Sequence, residues 1–459
     1  MPHSTATAPL TNRPADAVLF RRGAEAVTVG RFLADVAALA ARLPERSHTL
    51  NLCGNRYNAL LGFAAALSRG QVVLLSADRS ARRQAEIAAA YPDVCVLADA
   101  VIEATGGEAP WEPPPEAIRI APAHETMSDG PNPEIPLHRV AVIGFTSGST
   151  GRPAAHPKSW KALVEAALAA GDRFGLDAGP QEATVVATVP PQHMYGFETS
   201  IMLPLQVPVA AHAGPHFYPI EVAEALHAAP GRRVLVTTPL QMRALLGAGQ
   251  PLPPLEAVIS ATAPLDPVLA ANAEAAWSTR VLEIYGATEM GSIASRRTVD
   301  GDRWKLYRSV SLRDAAGADA ATEAVVAGMA SPVPLADAVE LLEGEQFRLL
   351  GRHADMVKLG GKRASLASLN RILQSIPGVE DGVFVEPEDL ERNPSARLVV
   401  FAVAPDLSGE AILATLRREI EPVFLPRAVM LVPALPRDTV GKLPRAALDG
   451  LRRQLAGTA

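Results

Sequence analysis

The segment at residues 144–153, GFTSGSTGRP, combines the residue types best suited to chemistry in this chain. Gly148 and Gly151 can take positive φ and let the backbone close on a ligand. Hydroxyl groups, which donate hydrogen bonds to anions, are carried by Thr146, Ser147, Ser149 and Thr150. An ordinary flexible Ser/Gly turn has the same composition, so the segment alone leaves both interpretations open. A Walker loop is not indicated, because Gly151 is followed by Arg152 and Pro153 instead of Lys and Ser or Thr.

Two elements must hold this segment in place. Apolar residues at 140–145 predict a buried strand before it, and apolar residues recur at helical spacing from Trp160 to Ala167. We therefore predict a phosphate loop on a strand-to-helix turn. Further strands, each ending in a turn rich in Pro, Gly, Ala or Thr, are predicted at 184–190, 233–239, 255–260 and 280–286. Ligands of open α/β sheets bind outside the carboxyl ends of strands, so these turns could meet at one crevice.

The rest of the chain predicts an α/β fold with two domains. Strand and helix signals alternate from Ala17 to Leu97, as in βαβ units with a mainly parallel sheet. We predict a large N-terminal domain of mixed β-sheets flanked by helices at 1–350, and a small α+β C-terminal domain at 351–459. Helices of the small domain are predicted at 366–375, 410–421 and 445–455.

The composition is that of a globular cytoplasmic protein. Of its 459 residues 48% are hydrophobic, and 43 Lys and Arg against 49 Asp and Glu give a charge of -6, so no nucleic-acid partner is indicated. Cys53 and Cys95 lie in apolar runs, which favours reduced core thiols over a lone disulfide. The N-terminus lacks the basic start and apolar core of a signal peptide. Prolines interrupt the uncharged run at 199–220, which predicts buried strands and loops and no membrane span.

Three motifs later in the chain indicate the function of the segment at 144–153. They are YGATE at 285–289, GRHADMVKLGGKR at 351–363 and PRDTVGKLPR at 436–445. With the loop, they resemble in order and approximate spacing the AMP-forming adenylation superfamily of acyl- and aryl-CoA synthetases, peptide-synthetase adenylation domains and firefly luciferase. The resemblance covers about two-thirds of the chain. It implies attack of a carboxylate on the α-phosphate of ATP, release of pyrophosphate, and transfer of the acyl group from the adenylate to a thiol.

The resemblance also implies roles for residues around the nucleotide. Glu289 matches the Mg²⁺ ligand, and a hard carboxylate suits a cation that bridges phosphates. Thr288 matches a catalytic hydroxyl near the α-phosphate, and Tyr285, followed by Gly286, matches the aromatic that packs on adenine. The segment matching the lining of the adenine and acyl sites is Ala261, Thr262 and Ala263. The whole phosphate loop, Thr146 to Gly151, belongs to the same set of ATP contacts.

The second half of the chain supplies the remaining implied contacts. Asp337 and Arg352 match the ribose-binding pair, although Leu335-Ala336 replaces the usual Thr-Gly before the aspartate. Lys442 matches the catalytic lysine, whose ammonium would stabilise charge developing on the phosphate. In the superfamily the small domain is mobile and rotates between the two half-reactions, with a hinge that matches 353–355 here.

His193, in PPQHMYGFE, resembles the histidine or aromatic at the mouth of the acyl pocket. A lone histidine beside apolar residues is more commonly a core residue, and gating or positioning is a better-supported role than proton transfer. The predicted substrate pocket comprises His193, Tyr195, Gly196 and Phe197. One departure concerns the loop, which lacks the usual lysine after Pro153, so that Arg152 or Lys158 could supply its charge.

These observations predict an ATP- and Mg²⁺-dependent ligase for a small carboxylic acid, either aryl or medium-chain acyl, with CoA or phosphopantetheine as the thiol acceptor. An acyl carrier protein would act in trans. The chain also resembles the stand-alone ligases of aryl-polyene or pigment clusters. The alternative is a catalytically silent nucleotide- or acyl-binding member of the same fold. The sequence decides neither the acid, nor the acceptor, nor the oligomeric state.

Overall fold

The structure of the protein is a computed structural model. It describes residues 6–22, 25–100, 111–121, 129–146, 154–177, 182–314, 321–352, 356–359, 362–386 and 397–436. The chain divides into two compact units, the first made of 1–334 and 342–347 and the second of 335–341 and the residues from 348 onward. In the described ranges, no helix is long and apolar enough to cross a membrane.

The first unit contains both strands and helices. Its described strands are β1 Thr7–Pro9, β2 Val18–Arg22, β3 Glu25–Thr28, β4 His48–Asn51, β5 Val72–Leu75, β6 Val94–Asp99, β7 Ile118–Ile120, β8 Glu134–Pro136, β9 Val140–Thr146, β10 Ala154–Ser159, β11 Ala183–Ala187, β12 Val209–His212, β13 Arg232–Thr237, β14 Ala257–Ser260, β15 Val281–Ala287, β16 Gly291–Arg297, β17 Arg303–Leu306, β18 Val310–Asp314, β19 Thr322–Val326 and β20 Val333–Pro334. Its described helices are α1 Val29–Arg42, α2 Arg56–Ser68, α3 Ala81–Ala90, α4 Trp160–Phe174, α5 Met194–Phe197, α6 Leu203–Gln206, α7 Pro219–Ala228, α8 Pro239–Ala248 and α9 Pro267–Trp277, with a π-helical turn at Glu198–Met202 and a 3₁₀ turn at Thr298–Asp300.

Two mixed sheets organise the first unit. One has the strand order β10-β9-β5-β4-β6-β7, and the other contains the run β17-β16-β15-β14-β13-β11-β12-β2-β3. Strands β11, β13, β14 and β15 are parallel neighbours, so their carboxyl ends lie along one edge, as the sequence predicts. The α/β class is thereby confirmed. Helices α7, α8 and α9 cover this sheet with an apolar core that includes Leu226, Met242 and Leu269.

Short polar side chains fix where helices begin. Thr28, Asn55 and Ser159 each accept a hydrogen bond from a backbone N–H of the first helical turn, at the starts of α1, α2 and α4. Helix α4 ends at Gly175, whose φ of 66° suits the left-handed cap. Cys53 and Cys95 are buried free thiols, as expected.

The second unit is a small α+β assembly. Strands β21 Asp337–Leu342 and β22 Gln346–Arg352 lie where the chain passes between the units, and are followed by β23 Met356–Leu359, β24 Lys362–Ser365, α10 Leu366–Gln374, β25 Asp381–Val385, β26 Val399–Val403, α11 Gly409–Glu419, a 3₁₀ turn at Pro422–Phe424 and β27 Val429–Leu431. Leu373, Phe384, Val400 and Leu416 form its core. The helices predicted at 366–375 and 410–421 are confirmed, whereas 445–455 lies outside the described residues.

Two local predictions are wrong. The predicted phosphate loop does not lead directly into a helix, because strand β10 follows it and pairs antiparallel with β9 before α4 begins. The start of the uncharged run at 199–220 is helical instead of extended, since the π-helical turn Glu198–Met202 continues into α6. Pro204 lies in the first turn of α6, directly after the π-helical turn.

Candidate active site

A cleft of about 570 Å³ opens in the first unit, where the parallel strands β5 and β9 end. It brings together three predicted site residues that are distant in sequence, namely Thr146, His193 and Thr288. The described residues that line it are Leu75, Ser76, Ala77, Asp78, Ser80, Arg82, Arg83, Glu86, Gly144, Phe145, Thr146, Gln192, His193, Met194 and Thr288. The contribution of α3 and the loop before it was not anticipated, because its Arg- and Ala-rich sequence carries no motif.

His193 enters this cleft from the segment that follows β11. It immediately precedes the short helix α5, and its own surface is exposed. Desolvation by the surrounding protein lowers the pKa of its imidazole below the usual 6.5. The ring is therefore mainly neutral at pH 7, where it can donate one hydrogen bond and accept another.

Tyr195 does not line the cleft. Its buried side chain instead holds the segment that carries His193. Its buried hydroxyl donates to the carbonyl oxygen of Ile259 at 2.8 Å, and the carbonyl oxygen of Thr237 at 3.2 Å shares the same proton. Burial raises the pKa of this hydroxyl, which keeps it a donor. Because these carbonyls belong to the ends of β13 and β14, Tyr195 holds α5 across neighbouring strand ends.

The other two predicted pocket residues are also packed inside. A Cβ added at Gly196 would lie 2.1 Å from the carbonyl oxygen of Pro190, so the chain approaches itself too closely for any side chain there. Phe197 is 2% exposed and meets the ring of Phe63 edge to face at 5.1 Å. Only His193 of the predicted pocket therefore lines the cleft, with Met194 beside it.

The turn carrying Thr288 and Glu289 packs against the strand that precedes the phosphate loop. A Cβ at Gly144 would lie 2.8 Å from Cγ2 of Thr288, which shows how closely β9 and this turn approach. The Glu289 side chain is 41% exposed, and its Oε1 lies 4.0 Å from Nε2 of His156. That imidazole nitrogen also lies 2.9 Å from the Thr146 hydroxyl. The turn, β9 and β10 thus form one polar cluster.

Lys158 is the buried cation of this cluster. Its side chain donates to the backbone carbonyl of Glu289. Burial lowers the pKa of Lys158 from 10.5 to about 8, although the charges of Glu198 and Glu289 oppose that shift. The nearby Glu198 carboxylate accepts a hydrogen bond from the Ser292 amide at 3.2 Å, and burial raises the pKa of Glu198. Lys158 was considered from the sequence as a charge for the loop, whereas His156 and Glu198 were missed because no motif marks them.

The residues predicted to surround adenine occupy the ends of β14 and β15, which are adjacent parallel strands. Ala261 is buried, whereas Thr262 and Ala263 are exposed. Thr262 has φ of 80°, which is unfavourable for a β-branched residue. Tyr285 is half-buried, with its ring centroid 5.6 Å from that of Trp304 and 5.7 Å from that of Phe347.

The remaining contacts lie in the second unit or outside the described residues. Asp337 begins β21 and Arg352 ends β22, so the hairpin of these two strands places both at its same end. Ser147, Gly148, Ser149, Thr150, Gly151 and Lys442 lie outside the described residues. Among the residues that are described, no group of three His, Cys, Asp or Glu side chains could hold a metal ion. One exposed carboxylate at Glu289 fits a Mg²⁺ that takes its other ligands from phosphates and water.

Comparison with known proteins identifies the class. The AMP-binding enzyme family matches residues 8–321, and the chain belongs to this family and to the AMP-forming adenylation superfamily. The predicted enzyme class, an AMP-forming acid–thiol ligase, is confirmed at the level of that family.

Individual relatives agree with this assignment. The chain is 30% identical over 318 residues to a 4-coumarate–CoA ligase of Halorhodospira halophila, covering 67% of this chain and 75% of the relative. It is 32% identical over 235 residues to a 4-coumarate–CoA ligase of Rhodobacter capsulatus, covering 51% of this chain and 58% of the relative. The structure of O-succinylbenzoate coenzyme A synthetase from Bacillus subtilis in complex with AMP is similar in fold, with a TM-score of 0.70, 15% identity and coverage of 96% and 98%.

Proposed function

We propose that the protein activates an aryl or medium-chain acyl carboxylic acid with ATP and then transfers the acyl group to a thiol. The observation that carries this proposal is the convergence of Thr146, His193 and Thr288 on one cleft. In the first half-reaction a carboxylate oxygen would bond to the α-phosphorus of ATP and pyrophosphate would leave. In the second, the thiol sulfur would bond to the acyl carbon, lose its proton, and release AMP.

The site residues have separate proposed roles in the two half-reactions. We propose that the Thr288 hydroxyl, on the turn against β9, donates to the α-phosphate. Neutral His193 would orient the acid at the cleft. Glu289 would hold a Mg²⁺ that neutralises phosphate charge. Lys442 remains the proposed catalytic lysine, and Asp337 with Arg352 the proposed ribose contacts.

The lining of the cleft supports the acid class. Leu75, Phe145 and Met194 supply apolar surface for an aryl ring or an alkyl chain, whereas Arg83 and Ser80 leave part of the wall polar. The 4-coumarate ligases among the relatives act on an aryl acid, in line with this choice, and CoA is the acceptor in their names. We propose CoA as the first acceptor to test and a carrier-protein phosphopantetheine as the second.

The decisive experiment is acid-dependent ATP–pyrophosphate exchange over a panel of aryl and acyl acids, followed by addition of each thiol. We expect exchange with at least one aryl or medium-chain acid. No exchange with any acid would overturn the catalytic proposal and leave the silent binding protein.

Lys442→Ala separates these two functions further. A ligase should lose most of its exchange, about 100-fold or more for a group that stabilises developing charge, while ATP binding measured by calorimetry stays near wild type. Full exchange in this variant would remove Lys442 from the mechanism.

A further inference from the structure

Lys158 is an unusual residue for the interior of a protein. Its side chain is 3% exposed, lies on β10, and donates to the carbonyl oxygen of Glu289. The sulfur of Met329 is 3.9 Å from its Nζ. Within the described part of the chain, no carboxylate forms an ion pair with this ammonium group, although Glu198 and Glu289 lie close enough for their charges to act on it. Its firmest contact is therefore to the backbone of one particular turn.

The end of that turn is held by the carboxylate of Glu198. The Glu198 carboxylate accepts from the Ser292 amide at 3.2 Å and from the Ser292 hydroxyl. Gly291, the residue before Ser292, has a φ of 79°, and a Cβ added at Gly291 would lie 2.5 Å from Oε1 of Glu198. The turn from Thr288 to Gly291 is thus held by the Lys158 ammonium at Glu289 and by the Glu198 carboxylate at the residue that follows the turn, Ser292.

A purely structural role does not explain the lysine. Burying an ammonium group costs folding free energy. The hydrogen bond to the Glu289 carbonyl and the charges of Glu198 and Glu289 recover only part of that cost, because the pKa of Lys158 is still lowered to about 8. A methionine of similar length would avoid the desolvation cost and could pack against Met329, but it would remove the positive charge that acts on Glu198. The retention of a cation here therefore calls for a functional reason.

We propose that Lys158 is a positioning residue for adenylation, which holds the Thr288–Glu289 turn in the orientation that receives the nucleotide and its Mg²⁺; this inference rests on the proposed function. The lysine acts through the backbone of Glu289 and leaves the carboxylate of Glu289 available for the cation. Groups that orient a metal ligand from behind commonly change affinity or activity by about 10- to 100-fold when they are removed.

The test compares Lys158→Met and Lys158→Arg with wild type, and uses Lys161→Met as the control because Lys161 is exposed three residues later. Three quantities are measured: the Kd of ATP with Mg²⁺ by calorimetry, the KM and kcat of exchange, and the thermal midpoint. For Lys158→Met we expect Kd and KM for MgATP to rise about tenfold, a smaller change in kcat, and an unchanged or higher midpoint. Lys158→Arg should recover part of the affinity, and Lys161→Met should match wild type.

Two results would overturn the inference. One is an unchanged Kd and KM in Lys158→Met. The other is a loss of affinity that accompanies a lowered thermal midpoint, since that would make Lys158 a folding residue. A wild-type protein that binds MgATP without any acid-dependent exchange would instead overturn the proposed function, while the binding measurements would still decide the role of Lys158.

Discussion

At the scale of single residues, Tyr195 shows that a buried side chain can position a site without lining it. Sequence pattern placed it in the substrate pocket, because an aromatic beside His193 and Phe197 suggests an apolar wall. The structure gives it a different role, since its hydroxyl reaches two strand-end carbonyls and its ring is only 6% exposed. Burial and hydrogen bonding depend on neighbours that the local sequence does not name.

Removing that hydroxyl should loosen the His193 segment. Tyr195→Phe leaves the ring in place but deprives two buried carbonyls of a donor, so we expect a loss of about 1–2 kcal/mol in unfolding free energy. The KM for the acid should rise as well, because His193 is held by the same helix. Denaturant unfolding and exchange kinetics measure both effects. Tyr218→Phe is the matched control, since Tyr218 is 45% exposed, and equal behaviour of the two variants would refute this role.

At the scale of elements, the chain approaches itself so closely at Gly196 that no side chain fits there. Its absent side chain lets α5 pack onto Pro190. Gly196→Ala should therefore destabilise the protein by about 1–3 kcal/mol through overpacking. Gly247→Ala is the control, because a Cβ at Gly247 within α8 meets nothing within 4 Å. That substitution should instead stabilise by about 0.5–1 kcal/mol. Thermal or urea unfolding of both variants gives the comparison, and a stable Gly196→Ala protein would mean that the segment can move.

Much of the element pattern was predictable, and the failures have physical causes. Strands at the parallel edge are short apolar runs, which is why β11, β13, β14 and β15 were found from hydrophobicity. Strand β10 was missed because its sequence, AAHPKS, contains a proline and a lysine. Proline is tolerated because β10 is the outer strand of its sheet. Lys158 is buried there by tertiary contacts with Glu289 and Met329 that no local pattern reveals.

Only part of the candidate site could be predicted from the sequence. The motif resemblance selected Thr146, His193 and Thr288, and the structure places all three on one cleft. It could not find His156 or Glu198, whose relevance arises only because β10 and the π-helical turn approach the Glu289 turn. The predicted roles of Lys442 and of loop residues 147–151 remain predictions.

At the scale of the whole molecule, a pair of histidines, buried His216 and half-buried His212, should limit stability in acid. Nδ1 of His212 lies 2.8 Å from Nε2 of His216, beside the buried Arg56. Burial, with the positive charge of Arg56, lowers the pKa of His212 to about 4. Burial, with His212 and Arg56, lowers the pKa of His216 to about 3. Since the unfolded chain takes up these protons near its usual pKa of 6.5, stability should be full above that pH and fall as the pH decreases.

The size of this effect can be measured by unfolding at pH 7 and pH 5. Each histidine should contribute a loss of about 2 kcal/mol over that interval. His216→Gln should flatten the decline, whereas His138→Gln, at an exposed histidine, should leave it unchanged. An identical acid profile for wild type and His216→Gln would contradict the prediction.

The hairpin formed by β9 and β10 has a consequence for how the loop between them can vary. Helix α4 is anchored without that loop, because the amides of Trp160 and Lys161 donate to the carbonyls of Arg139 and Leu137 at 2.8 and 3.0 Å. The amide of Ala162 donates to the Ser159 hydroxyl at 3.2 Å. The first amides of the helix are therefore already committed, and none of these three is available to an anion. Insertions or deletions between residues 147 and 153 should therefore leave the register of α4 intact, so the length of this predicted phosphate loop can vary without displacing the helix.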